Sequence, residues 1–184
     1  MQKICAIDLD GVLAEYPNTW VNFANNKLNT NYDLHELKDK ISFNEYRALK
    51  EKYRTCGIKA TIPVMTGARD LILRLRKKGF MIIILTARPL FQYKEVLRDT
   101  IFWLKNNDIE HDLLFWGKDK DLQIIKYFSD LNFMVEDNAE IANKIAKFGY
   151  KVYLLDNQYN QQSLHENVER IYSLEEIQND KKND

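Results

Sequence analysis

The stretch "ICAIDLDGVL", residues 4–13, decides the fold. Ile4 to Ile7 is a short apolar run without a polar break, the pattern of a strand buried on both faces of a parallel sheet. It ends abruptly in Asp8 and Asp10, and Gly11 then supplies a position that tolerates backbone torsions other residues resist. Two carboxylates at the end of a buried strand are a solvated turn or the floor of a site. In open α/β sheets the carboxyl ends of the strands are where ligands bind.

Three further runs have the same buried character: Phe80 to Leu85, Asn132 to Val135 and Lys151 to Leu155, with a weaker one at Asp112 to Phe115. Helical patterns separate them. Ala68 to Lys78 carries Leu71, Ile72 and Leu75 on one face and stops at Gly79. Gln92 to Asn107, Lys120 to Phe128, and Ala139 to Phe148 before Gly149 complete the series. Strands alternating with helices predict an α/β fold with a doubly wound, Rossmann-like parallel sheet.

Glu15 to Ile62 breaks that alternation. Trp20, Phe23, Ala24 and Leu28 share one helical face and Phe43, Tyr46, Leu49 and Tyr53 another, so a small helical cap inserted after the first strand is expected. Pro17 suits the first turn of its first helix, while Pro63 and a capping Thr66 mark the return to the sheet. The expected division is a core of residues 1–14 and 63–184 with a cap of residues 15–62.

The chain of 184 residues, 45% hydrophobic, is long enough for one sizeable core plus a small accessory unit. Its 27 basic and 27 acidic residues give no excess of the kind that draws extended nucleic acid or an anionic membrane. The longest apolar run is far short of the roughly 20 residues of a membrane span, and no signal-peptide pattern opens the chain, so a cytoplasmic location is expected. Cys5 and Cys56 lack metal-type spacing and read as structural. The tail Asn179 to Asp184 is polar and expected to fray. No signal fixes an oligomeric state.

Later strand ends give the two aspartates their context. Phe80 to Leu85 runs into Thr86-Ala87-Arg88, a hydroxyl and backbone N–H groups suited to phosphate oxygens, or an ordinary helix cap. "GKDKD" follows the weak strand and offers Lys118 and Lys120 at a helix start, where a cation opposes the dipole unless an anion lies beside it. Asn132 to Val135 ends in Glu136-Asp137-Asn138, and adjacent buried acids are tolerable with a divalent cation between them and Asp8. Asp137 or Asn138 is alternatively a helix cap. Asp, Asp, Thr, Lys, Glu and Asp at successive strand ends of one sheet converge on a single crevice.

"DLDGV" at 8–12, "LTAR" at 85–88, the lysine of "GKDKD" and "VEDNAE" at 135–140 resemble, in order, the four motifs of the haloacid dehalogenase superfamily of aspartate-dependent phosphohydrolases. The helical cap, "DLDGVLAEY" and "VYLLDNQYN" at 152–160 further resemble 5′(3′)-deoxyribonucleotidases and their bacterial and phage relatives. The resemblance implies Asp8 as nucleophile and Asp10 as proton donor and acceptor, with Mg²⁺ held by Asp8, the Asp10 carbonyl and Asp137 and assisted by Glu136. It also implies phosphate oxygens bound by Thr86, Ala87, Arg88 and a lysine. Lys120, directly before the helical run, is favoured for that lysine over Lys118. Arg88 is alternatively the partner of a surface acid.

The implied substrate is a small phosphomonoester, a nucleoside monophosphate, with Tyr16, Trp20, Phe23 and Tyr46 as candidates to stack on its base; the same rings equally suit the cap's own core. A sugar phosphate or a nucleic-acid 3′-phosphate end is the alternative substrate, and a catalytically silent regulatory module the alternative class.

Overall fold

The structure is a computed structural model that describes residues 2–177, so the Asn179 to Asp184 tail lies outside the described residues. Six strands form one sheet: β1 (Lys3–Ile7), β2 (Phe80–Thr86), β3 (Leu113–Trp116), β4 (Phe133–Glu136), β5 (Val152–Leu155) and β6 (Val168–Ile171). Their spatial order is β3-β2-β1-β4-β5-β6, and every pairing is parallel. The order reverses between β1 and β4, which opens the crevice of a doubly wound sheet there.

Strand side chains alternate between two apolar layers. Cys5, Ile7, Ile82, Ile84, Phe133 and Val135 face the layer that holds Leu71, Ile72 and Leu75 of α4 (Ala68–Lys77) and Trp103 and Leu104 of α5 (Lys94–Asn106). Ala6, Ile83, Leu85, Met134, Val152 and Leu154 face the other, which holds Ile124 of α6 (Lys120–Tyr127) and Ala142 and Ile145 of α7 (Ala139–Ala146). Slipping a strand by one residue would exchange its two faces between differently shaped layers, so packing fixes the register and therefore the height of each strand end.

In the sheet and its flanking helices two features depart from expectation. β6 is an edge strand whose central Glu169 and Arg170 are not buried, so its four residues give no apolar run to read. α4 starts after Gly67 in the left-handed region at φ 80°, without a side-chain cap; Thr66 does not cap it. Asn138 caps α7, accepting from the N–H groups of Glu140 and Ile141.

Between β1 and α4 the chain forms α1 (Asn18–Leu28), α2 (Leu34–Lys40), α3 (Phe43–Thr55) and a short helical turn, Ile58–Ala60. This insertion has its own core of Trp20, Ala24, Leu37, Leu49 and Tyr53. α2, which the sequence reading passed over, starts with a reciprocal Asp33–Glu36 capping box. Phe43 does not join the apolar face expected of it: as the first residue of α3 it projects beyond the core and is 73% exposed. Two backbone bonds clamp the root of the insertion, Glu15 N–H to Pro63 O at 2.9 Å and Met65 N–H to Leu13 O at 2.8 Å. Among the described residues no helix is long and apolar enough to cross a membrane.

Candidate active site

β1 and β4 end side by side, with the Asp8 N–H bonded to Val135 O at 2.9 Å. This places Asp8 next to Glu136 and Asp137. The ligand oxygens of these three buried residues all lie within 4.8 Å of one another. Lys120, at the first turn of α6, reaches into the group: its Nζ is 2.8 Å from Asp8 Oδ1 and 2.8 Å from Glu136 Oε2. The crevice opens into a cavity of about 580 Å³ whose other wall is the helical insertion.

The electrostatics follow from burial. Desolvation and the neighbouring Glu136 carboxylate push the Asp8 carboxyl up to about 7 although Lys120 opposes them. Burial, Glu136 and Asp8 likewise raise Asp137 well above the ordinary carboxylate range. Burial favours the neutral form of Lys120, but Asp8 and Glu136 outweigh it and hold the ammonium charged. One cation cannot offset three adjacent carboxyl groups, which is why Asp8 and Asp137 are held toward their protonated forms, and a hard divalent ion suits such an oxygen set. Glu136 already has protein donors on both oxygens, Lys120 on Oε2 and Asn138 N–H on Oε1 at 3.2 Å. Asp8 and Asp137 are therefore the better-placed ligands, and Glu136 sets the position of Lys120.

Gly11 makes room for this arrangement. Its φ is +95°, and a Cβ there would stand 2.0 Å from Asp137 Oδ2. The Tyr159 hydroxyl donates to Asp137 Oδ2. Asn160 Nδ2 donates to the Asp137 and Leu155 carbonyls at 2.7 and 2.8 Å, anchoring the loop after β5 beneath the acid.

Asp10 lies on the other side of Asp8 and is gripped by cations. Arg88 donates from Nε to Asp10 Oδ2 at 2.9 Å and from Nη2 to Oδ1 at 2.5 Å, and Lys59 Nζ stands 3.5 Å from Oδ2. Burial alone would raise the Asp10 carboxyl, but Arg88 and Lys59 outweigh it and hold it well below the usual range. Burial in turn pulls the Lys59 ammonium down to about 8. Thr86 Oγ1 accepts from the Arg88 N–H at 3.1 Å, which leaves the threonine's own hydroxyl hydrogen free to donate. Thr86 and Ala87 both line the cavity.

Several expected site residues take another role or lie elsewhere, Arg88 lining the cavity but engaged by Asp10. Arg88 is neither a surface partner nor a free phosphate donor: it is 3% exposed and gives its third nitrogen to Thr100 Oγ1 at 3.1 Å. Lys118 is exposed and does not line the cavity, because α6 begins at Lys120 and turns only that lysine inward. Trp20 is fully buried in the insertion's own core, with Tyr53 packed edge-on at 5.4 Å. Phe23 lines a separate groove on the insertion's far side. Tyr16 and Tyr46 do line the cavity, together with Tyr53.

The sequence reading missed Lys38, Lys50, Arg54, Lys59 and Tyr159, all of which line the same cavity. On α3 a signal existed: Tyr46, Lys50, Tyr53 and Arg54 recur at intervals of three and four and so share a face.

A parallel sheet that reverses at β1/β4, an aspartate pair closing β1, a lysine between carboxylates and a helical insertion after the first loop define the haloacid dehalogenase class of α/β fold. The model of the 5′ nucleotidase, deoxy (pyrimidine), cytosolic type C protein family matches residues 2–180, and the chain belongs to that family, as a phosphoric monoester hydrolase. A nucleotidase from Clostridium acetobutylicum is 25% identical over 183 residues, covering 95% of this chain and 91% of its own. Among solved structures, CbbY from Rhodobacter sphaeroides in complex with phosphate aligns over 97% of both chains with a TM-score of 0.61 at 16% identity. A predicted phosphoglycolate phosphatase from Haemophilus somnus aligns over 88% of both with a TM-score of 0.62 at 13% identity. At these identities the two structures speak for the fold alone.

Proposed function

We propose that the protein is a Mg²⁺-dependent phosphomonoesterase that hydrolyses a nucleoside monophosphate, a deoxyribonucleotide, through an aspartyl-phosphate intermediate on Asp8. The observation that carries this reading is Lys120 bridging Asp8 and Glu136 at the β1/β4 crevice, with Asp137 beside them. A nucleophilic carboxylate must approach a phosphate dianion, and that repulsion is the main obstacle to attack.

Mg²⁺ held by Asp8, Asp137 and the Asp10 carbonyl would neutralise phosphate charge and orient the phosphoryl group. The carboxylate set and the space that Gly11 leaves for Asp137 fit such an ion. The remaining steps fall to the protein. An Asp8 carboxylate oxygen forms a bond to phosphorus while the P–O bond to the leaving alcohol breaks; that oxygen takes a proton as it departs. Water then attacks the aspartyl-phosphate, gives up a proton, and releases phosphate and the free Asp8 carboxylate. The Thr86 hydroxyl and the Lys120 ammonium stabilise equatorial oxygens, a preorganised arrangement in which each donor contributes about 2.7–4 kcal/mol.

Asp10 is the proton carrier in this scheme, and its surroundings bias its role. Arg88 and Lys59 hold it ionised, the form that accepts the proton of the hydrolytic water. Donating to the leaving alcohol requires Asp10 to take up a proton from solvent first, which the Arg88 contact opposes until it loosens.

The nucleotide reading is supported by the family and by the tyrosines of the insertion wall. The cavity of about 580 Å³ suits a mononucleotide, and Tyr16, Tyr46 and Tyr53 offer faces on which a base can stack. Two free cysteines, one buried and one exposed, fit the reducing cytoplasm in which we place the enzyme.

The test is phosphate release from a panel of 5′- and 3′-nucleoside monophosphates, sugar phosphates and p-nitrophenyl phosphate with Mg²⁺, beside Asp8→Asn. Release by the wild type and none by the variant is expected. No release from any compound, or equal release by Asp8→Asn, overturns the phosphatase reading. Preference for a sugar phosphate over every nucleotide overturns the substrate assignment alone.

A further inference from the structure

Charge is sorted across the cavity. Every cation around the strand ends has a carboxylate partner: Lys120 has Asp8 and Glu136, while Arg88 and, reaching in from the root of the insertion, Lys59 share Asp10. The insertion wall is different. It presents Lys38 from α2 and Lys50 and Arg54 from α3, and no acid of the insertion lines the cavity. Among the described residues none of the three forms an ion pair. The nearby acids of α2 serve other contacts: Asp33 and Glu36 cap the helix, Glu36 also holds Lys40 at 2.6 Å, and Asp39 holds His35.

This arrangement is unfavourable as it stands. Lys50 and Arg54 are like charges one helical turn apart, which destabilises a helix. Lys50 is also half-buried, its ammonium enclosed by rings. Its Nζ lies 3.8 Å from the centre of the Trp20 ring and donates to the Tyr16 hydroxyl at 3.0 Å. The Tyr46 and Tyr53 rings lie 5.6 and 5.8 Å away. Ring faces hold a cation in place but do not neutralise it. Burial, aided by Lys59 and Arg54, pulls the ammonium down to about 7. All three line one cavity without a carboxylate partner, so an anion bound against the insertion wall would meet positive charge that nothing on the protein offsets.

Resting on the phosphomonoesterase reading, we propose that Lys38, Lys50 and Arg54 form a second phosphate subsite, occupied by a second phosphate borne by the substrate. The preferred substrates are then bisphosphorylated, such as a deoxynucleoside 3′,5′-bisphosphate. One phosphate sits against Asp8, Thr86 and Lys120 on the floor and the other against the insertion. The guanidinium of Arg54 offers a planar fork to phosphate oxygens and the two ammonium groups act as point charges.

The test compares a deoxynucleoside 5′-monophosphate with the 3′,5′-bisphosphate of the same nucleoside, in turnover with Mg²⁺ and in calorimetric binding to the wild-type protein in EDTA. The bisphosphate is expected to bind about tenfold or more tightly, the scale of one charge-assisted hydrogen bond. That preference should collapse in Lys50→Met and in Arg54→Gln; the second variant leaves the Lys50 contacts with Trp20 and Tyr16 intact and guards against loss of the fold. Equal binding of the two ligands by the wild type, or an equal loss of both ligands in the variants, overturns the subsite. Inorganic phosphate that accelerates monophosphate turnover in the wild type but not in Lys50→Met overturns the substrate-borne occupant in favour of a free anion. If neither compound is hydrolysed, the phosphomonoesterase reading fails, while the binding comparison still decides the subsite.

Discussion

Arg88 and Asp10 meet side-on, two nitrogens to two oxygens at 2.9 and 2.5 Å, with the guanidinium buried and the carboxylate facing the cavity. This pair joins the end of β2 to the loop after β1 and fixes where the proposed proton carrier points. Removing one member of such a pair leaves the other charge without its partner, and for Arg88→Met a loss of about 3 kcal/mol is expected, the low end for a buried pair because Lys59 remains. The pH dependence has a definite sign. The native pKa of Asp10 is depressed, so its contribution to stability is present above the unfolded value and is lost as pH falls through the native one. In Arg88→Met the native value moves up toward the unfolded one, so this acid-linked loss becomes smaller and is complete at higher pH. Urea unfolding at pH 7 and pH 3 checks this: the wild type should lose more between the two conditions than the variant, which starts from the lower stability at pH 7.

Metal binding should depend on pH in the opposite direction to proton binding. Burial and Glu136 raise Asp8 to about 7 in the metal-free protein, and a carboxylate must lose its proton to hold a cation. Mg²⁺ should therefore raise the melting temperature more at pH 8 than at pH 6, with proton release on binding. Asp8→Asn and Asp137→Asn should each abolish the effect. A melting shift that is equal at both pH values, or that survives in both variants, would show that the ion binds elsewhere.

Tyr159 supports Asp137 from behind, through its hydroxyl. Partners that orient a ligating carboxylate typically contribute about 10–100-fold in metal affinity. Tyr159→Phe should raise the Mg²⁺ concentration needed for half-maximal activity by about tenfold, with little change in turnover at saturating metal. A fall in turnover that saturating Mg²⁺ does not restore would assign the hydroxyl to the chemistry instead.

Much of this architecture is legible in the sequence because buried parallel strands leave unbroken apolar runs. β1, β2, β4 and β5 announce themselves that way, and the acids that close β1 and β4 stand out against the runs they end. β6 does not, since an edge strand with Glu169 and Arg170 at its centre has only two buried positions. The floor of the site could be read because each residue is tied to a strand end. The wall could not, because helical periodicity tells which residues share a face but not what the face meets. Trp20 and Tyr46 lie on different helices of one aromatic cluster, their rings 5.5 Å apart, yet only Tyr46 reaches the cavity. Lys59 and Arg88 converge on Asp10 from positions far apart in the chain, and no local pattern signals that convergence.

Lys50 offers a test of stability against function that needs no substrate. Its native pKa, about 7, lies below the ordinary lysine value of 10.5. In the folded protein the ammonium is disfavoured by burial, by Lys59 and by Arg54, whereas in the unfolded chain it is fully hydrated. Between pH 7 and 10.5 the unfolded state binds more protons, so this residue's penalty is largest below pH 7 and fades as pH rises. Lys50→Met keeps the length and the apolar stem while removing the charge. It should raise the unfolding free energy at pH 6 by about 1–2 kcal/mol, less than the shift alone implies because the ring contacts of the ammonium are lost as well. At pH 10 the gain should nearly vanish. Denaturant titrations at the two pH values measure it. A variant that is less stable at pH 6 would mean that the aromatic contacts outweigh desolvation and that Lys50 is a strut of the insertion. A gain at pH 6 that disappears at pH 10 would mark a cation held at a cost to the fold, as residues kept for function often are.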